Sequence, residues 1–120
     1  MKVVITGGGG FIGSQLAKRL SAEGSLVGPS GSQEKIDTVL LFASHDLKKL
    51  SELCGVDRDD IAVFHLAAMV SGECEERFDD ALSVNLDGTR NILEALRARE
   101  GTPRVVFASS VGTYGGEEMP

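Results

Sequence analysis

The sequence predicts an α/β fold, a parallel sheet with helices on both faces. Three observations carry that prediction. Short apolar runs, Val3-Val4-Ile5, Val39-Leu40-Leu41-Phe42, Ile61 to Phe64 and Val105-Val106-Phe107, alternate with helical patterns, the order that builds strand–helix–strand units. The runs are continuously apolar, as strands buried on both faces read. A glycine-rich turn, Thr6-Gly7-Gly8-Gly9-Gly10-Phe11-Ile12-Gly13, joins the first run to the first helix.

Taken in order, Lys2 to Ile5 reads as a strand. Residues 11–23 read as a helix with Ile12, Leu16 and Leu20 on one face. Residues 24–34 are rich in Gly and Ser and are expected to form a loop. Val39 to Phe42 is a short buried strand. Asp46 is placed to cap a short helix that ends at Leu53. Ile61 to Phe64 is the next strand and runs into His65-Leu66-Ala67-Ala68. The spacing of Phe78, Leu82, Thr89, Ile92 and Leu96 predicts one helix over residues 75–97. Thr102 and Pro103 end it, and residues 104–108 carry the last strand, followed by Ser109-Ser110. Ligands of such sheets bind at the carboxyl ends of the strands. Four segments fall there: residues 7–13, 43–46, 65–68 and 109–110.

The glycine turn has the chemistry of a pyrophosphate site. Its spacing is GxxGxxG, with Gly7, Gly10 and Gly13 at the fixed positions. Gly7 lets the strand turn sharply. Gly10 lets backbone approach the phosphates, and Gly13 lets the helix pack close to the strand. The N–H groups at the helix start then face the anion.

Composition bounds the rest. The 120 residues, 42% hydrophobic and 25% charged, are expected to form one domain with its own core. A net charge of −6 argues against a nucleic-acid partner, which needs clustered Lys and Arg. No apolar run approaches the about 18 residues of a membrane span, so no membrane partner is expected. The amino terminus runs straight into a strand, without the pattern of a signal peptide. Cys54 and Cys74 lack metal or disulfide spacing and are read as reduced thiols. Together these imply a cytoplasmic protein. With only His45 and His65, no metal centre is expected. The acidic group Glu73, Glu75, Glu76, Asp79 and Asp80 reads as a solvated helix start.

The segments TGGGGFIG (6–13), HLAA (65–68), VNLDGTRN (84–91) and VVFASSVGTYGG (105–116) resemble the extended short-chain dehydrogenase/reductases, the NAD-dependent epimerase/dehydratase family. The stretch before Ile36-Asp37, the run Met69-Val70-Ser71-Gly72-Glu73 and NLDGTRN are similar to its D-erythronate dehydrogenase-like and nucleoside-diphosphate-sugar epimerase members. The resemblance implies a Rossmann-type doubly wound parallel sheet. It implies a dinucleotide cofactor, NAD with NADP as the alternative, and a small sugar-type substrate. Gly7, Gly10, Phe11, Ile12 and Gly13 would hold the pyrophosphate. Asp46 and Leu47 match the acidic-apolar pair that touches adenine. Ala67, Ala68 and Ser109 would line the cofactor. Ser110 would be the catalytic hydroxyl, and Val70, Ser71 and Gly72 would edge the substrate. His65 reads either as a satisfied structural histidine or as an acid-base group. Asn85 reads either as the anchor of a backbone kink or as a local packing amide. Tyr114 is not read as a catalytic phenol, because the resemblance requires Lys four residues on and position 118 is Glu.

The pattern also departs. The chain ends at Pro120 before any YxxxK pair, so residues 1–120 are expected to be an incomplete dinucleotide-binding domain without its substrate-binding region. Ala43 follows Phe42 where the resemblance places a ribose-binding Asp. The segment after it is short by about a dozen residues, roughly one strand and its connection. The expected fold is therefore truncated and short of one strand. No Arg follows Phe42 to meet a 2′-phosphate, which leans toward NAD. Losing the charged partner would cost about 1.5–3 kcal/mol of binding. The leading reading is the NAD(P)-binding part of a sugar-directed oxidoreductase or epimerase. The alternatives are a non-catalytic dinucleotide-binding remnant and an interaction fragment. An open last strand predicts a homodimer.

Overall fold

The computed structural model describes residues 1–28, 30–42, 49 and 60–116. Strand β1 (Lys2–Thr6) is central. It pairs in parallel with β4 (Thr38–Phe42) on one side and with β5 (Ile61–His65) on the other. Strand β6 (Arg104–Phe107) adds to β5, again in parallel. The order is β4-β1-β5-β6. The chain leaves β1 for one edge and returns to the other side, so a switch point opens at the carboxyl ends of β1 and β5. Among the described residues no strand lies outside β4.

Alternation along the strands builds two cores. Val3 and Ile5 point to one face and pack with Leu20 of helix α1 (Phe11–Glu23), joined by Leu16, Ala17 and Phe64. Val4, Ile61 and Val63 point to the other face and pack with Ile92 and Leu96 of helix α4 (Gly88–Arg97). A sheet covered on both faces requires the continuously apolar strands that the sequence has.

The structure corrects three expectations. Residues 24–34 are not simply a loop: β2 (Ser25–Val27) and β3 (Gln33–Lys35) form an antiparallel hairpin. Gly24, at φ +68, ends α1 with its N–H on the Leu20 carbonyl at 2.9 Å. Gly31, at φ +80, helps turn the hairpin, and Leu26 packs under α1. The glycines and serines that suggested a loop are the turn and the polar face of this hairpin.

The helix expected over 75–97 starts earlier and is broken. It comprises α2 (Ser71–Glu76), α3 (Phe78–Ala81), a π-helical turn (Leu82–Asp87) and α4. Arg77, at φ −129 and ψ 61, separates the first two. The expected stripe is buried only at Ile92 and Leu96; Phe78 is 65% exposed and Leu82 is also exposed. Each π-type bond spans one more residue than an α-type bond, so the stripe rotates off the core at Leu82–Asp87. The third correction is Ile12, which is 67% exposed and does not share the buried face of Leu16 and Leu20. The helix expected from Asp46 to Leu53 lies outside the described residues apart from Lys49. Among the described residues no helix is long and apolar enough to cross a membrane.

Candidate functional site

The site begins where β1 ends. Gly7 takes φ +70, a left-handed conformation that suits only glycine at low cost. Its N–H continues the ladder to the Phe42 carbonyl at 2.9 Å. An added Cβ at Gly7 would come 2.9 Å from the Ala67 nitrogen, so the turn lies directly against the end of β5. Gly10 N–H closes on the Gly7 carbonyl at 3.0 Å, and Ser14 N–H makes the first α1 bond, to the Gly10 carbonyl at 3.0 Å. The N–H groups of Phe11, Ile12 and Gly13 precede that bond and have no intrahelical acceptor. Gly10 brings no capping side chain, and no acidic residue stands in the first turn. An added Cβ at Gly9 would meet nothing within 4 Å, and one at Gly10 would meet only the Gly7 carbonyl oxygen, at 3.3 Å. The helix start is thus an open, uncapped cradle of donors whose dipole favours an anion.

Beside it, the ends of β5 and β6 enclose a cleft of about 580 Å³. Its walls are Leu66 to Ser71 on one side and Phe107 to Ser110 with Thr113 on the other; His65, Asn85 and Thr89 form the floor. The structure brings Ala67, Ala68, Val70, Ser71, Ser109 and Ser110 to this cleft. Gly72 is off it, exposed on α2 with nothing within 4 Å of an added Cβ. Asp46 and Leu47 lie outside the described residues. Ser110 opens a 3-10 turn (Val111–Tyr114), and its hydroxyl oxygen accepts the Gly112 N–H at 3.2 Å. That bond leaves the hydroxyl proton free. Tyr114 is exposed and not among the lining residues.

Side chains on the floor form one connected network. Thr89 hydroxyl donates to the Asn85 carbonyl at 2.6 Å. Thr89 oxygen therefore accepts from His65 Nε2–H at 2.9 Å. His65 Nδ1 then accepts the Thr6 hydroxyl proton at 2.6 Å. Thr6 oxygen in turn accepts the N–H groups of Leu66 and Ala67, at 3.1 and 3.2 Å. Both nitrogens of His65 are used, as the structural reading requires, and burial pushes its pKa below the ordinary histidine value. Asn85 resolves as an anchor. Its Oδ1 accepts Met69 N–H at 2.8 Å and its Nδ2 donates to the Met69 carbonyl at 3.0 Å. It stands in the π-helical turn, a distortion frequent at functional sites.

Sequence reasoning missed Thr6, Met69 and Thr89. In the sequence Thr6 reads only as the first residue of the glycine turn, with no role of its own. Thr89 was assigned to the apolar stripe, although its four-residue spacing from Asn85 is that of a side chain bonding back along a helix. Among the described residues no group of His, Cys, Asp and Glu is placed to hold a metal ion.

Comparison with known proteins agrees with this architecture. D-erythronate dehydrogenase of Cupriavidus necator is 40% identical over 137 aligned positions, which cover 100% of this chain and 42% of that protein. That alignment is longer than the 120-residue chain, so the relative carries residues within this span that the chain lacks. The crystal structure of a nucleoside-diphosphate-sugar epimerase from Agrobacterium tumefaciens superposes with TM-score 0.68 at 30% identity, covering 100% of this chain and 40% of that one. MoeE5, solved with UDP-glucose and NAD, superposes with TM-score 0.70 at 30% identity, covering 98% of this chain and 39% of that one. The chain thus spans less than half the length of the relatives it matches. Residues 3–120 match the model of the NAD dependent epimerase/dehydratase family. With that match across nearly its whole length, the glycine turn at the switch point and the parallel sheet behind it, the chain belongs to the NAD dependent epimerase/dehydratase family.

Proposed function

We propose that residues 1–120 are the NAD-binding part of an oxidoreductase or epimerase acting on a sugar, sugar acid or sugar nucleotide by hydride transfer. The observation that carries the reading is the uncapped start of α1, with the N–H groups of Phe11, Ile12 and Gly13 beside the open space at Gly9 and Gly10. A pyrophosphate fits that cradle, since it needs donors, a favourable dipole and no intervening Cβ. Gly7, Gly10, Phe11, Ile12 and Gly13 hold the diphosphate. Ala67, Ala68 and Ser109 line the cofactor's path into the cleft. Asp46 and Leu47 enter from the sequence alone, against the adenine. The bound nicotinamide supplies a ring carbon that takes or gives a hydride. Ser110 directs its free hydroxyl proton to the substrate oxygen. Val70 and Ser71 edge the substrate.

Calorimetric titration with NAD and then NADP tests this. NAD binding in the micromolar-to-millimolar range, abolished by Gly10→Val, is expected. No heat with either, from a chain that circular dichroism shows to be folded, refutes it. In the same reading the chain self-associates through β6, whose Val105, Val106 and Phe107 are all exposed.

A further inference from the structure

We infer that His65 is a positioning residue of the dinucleotide site, setting the backbone of Leu66 and Ala67 against the glycine turn through the hydroxyl of Thr6. The inference rests on the NAD-binding reading and assigns a task to a group that reading leaves unused.

The segment Leu66–Val70 leaves β5 and forms one wall of the cleft. Apart from the Leu66 N–H, which also reaches the Thr6 carbonyl at 3.2 Å, and the Val70 carbonyl, which accepts the Cys74 N–H at 2.9 Å, its backbone is held by side chains. Thr6 holds the N–H groups of Leu66 and Ala67, and Asn85 holds both polar groups of Met69. Thr6 belongs to β1 and Asn85 to the π-helical turn, on opposite sides of the segment. His65 is the bridge between these holders, through Thr6 at one nitrogen and Thr89 at the other.

The direction of the bonds gives the bridge its consequence. A hydroxyl has one proton and two acceptor lone pairs. Thr6 can present both lone pairs to Leu66 and Ala67 only if its proton goes elsewhere, and His65 Nδ1 is where it goes. Nδ1 is an acceptor because Nε2 carries the ring proton, and Nε2 carries it because the Thr89 hydroxyl has spent its own proton on the Asn85 carbonyl. The tautomer at the floor of the cleft is therefore written by the π-helical turn and read by the loop that meets Gly7. The contact is tight there, 2.9 Å from an added Gly7 Cβ to the Ala67 nitrogen, so slack in that backbone is transmitted to the phosphate cradle.

A merely space-filling His65 predicts a different outcome for conservative variants. His65→Asn places an amide oxygen near the position of Nδ1 and keeps an acceptor for Thr6. His65→Phe keeps the ring and removes the acceptor. The experiment measures NAD affinity by calorimetry, and in the free chain the exchange of the Leu66 and Ala67 amide protons by NMR against global stability from urea unfolding. His65→Phe is expected to weaken NAD about tenfold or more and to speed exchange at both amides by a similar factor beyond any global loss. His65→Asn is expected to stay within about threefold of wild type in both. NAD affinity unchanged in His65→Phe overturns the inference. So does an equal loss in the two variants that follows global stability alone. If His65→Phe does not fold, Thr89→Val takes its place, keeping His65 while freeing Nδ1 to carry the proton; the same two effects are expected, and their absence overturns the inference. If wild type itself binds no dinucleotide, the NAD reading fails. The exchange measurement then decides alone, and unchanged protection at Leu66 and Ala67 overturns the bracing role of His65.

Discussion

Replacing Gly13 by Ala should cost stability although Ala is the better helix former. An added Cβ at Gly13 would stand 2.3 Å from the Gly7 carbonyl oxygen and 2.8 Å from the Gly8 Cα. Ordinary contact begins near 3.4 Å, and both neighbours are backbone, so no side-chain rotation relieves the overlap. α1 has to move about an ångström away from the turn, which loosens Leu16, Ala17 and Leu20 against Val3 and Ile5. Overpacking of this kind costs about 1–3 kcal/mol, and the helix preference of Ala returns about 1 kcal/mol. A backbone overlap belongs at the upper end of that range, so the expected net loss is about 2 kcal/mol. Urea unfolding followed by circular dichroism reads this as a midpoint lowered by about 1 M. Gly9→Ala is the control. Its Cβ meets nothing within 4 Å, and its stability should lie within about 0.5 kcal/mol of wild type. Coincident midpoints for the two variants would refute the close packing of α1 on the turn.

Other substitutions probe the floor, the core and the edge. Thr6→Val keeps the shape but leaves His65 Nδ1 and the Ala67 N–H unpaired, and the Leu66 N–H with the Thr6 carbonyl alone, at a site 1% exposed; a loss of about 2–4 kcal/mol is expected in urea unfolding. His65 has a pKa lowered by burial, so the unfolded chain binds the proton more readily. Stability from this group should be complete above pH 6.5, the unfolded value, and fall as pH drops from there toward the folded value. Melting temperatures at pH 7.5 and 5.5 should differ less in His65→Asn than in wild type, and equal shifts would count against the assignment. Leu96→Ala should cost about 2–5 kcal/mol, and Leu93→Ala much less, because Leu96 is buried and Leu93 exposed. Light scattering at micromolar concentration should report self-association that Phe107→Asp reduces; a monomeric wild type would contradict the open-edge argument for β6.

Much of the fold was legible because it follows from period and punctuation. Val3 to Ile5 and Ile61 to Phe64 are apolar without interruption, and Gly7 to Gly13 punctuate one strand–helix junction with a recognisable spacing. The hairpin at Ser25–Lys35 was not legible, because its strands are three residues each and β3, Gln33-Glu34-Lys35, is wholly polar. Such strands show neither alternation nor an apolar run. In the site, the walls of the cleft could be placed because Ala67, Ala68, Ser109 and Ser110 end strands, and strand ends converge in a parallel sheet. The floor could not. Thr6, His65 and Thr89 meet only through the register that sets Thr6 beside His65 across the ladder and α4 above them. A single sequence carries no signal of that pairing.

The π-helical turn at Leu82–Asp87 behaves like a dislocation in a lattice, one surplus residue that shifts the phase of everything after it. Ahead of it the helical frame points Phe78 outward; behind it the frame points Ile92 and Leu96 inward. The defect also fixes where Asn85 and Thr89 stand relative to the cleft. Deleting one residue there would heal the helix and make it more regular. It would also turn either the amide that holds Met69 or the hydroxyl that meets His65 away from its partner, so regularity and site geometry are mutually exclusive at this position. Lengths counted in residues are thus part of what builds the site, since removing one residue in this stretch re-aims every side chain beyond it.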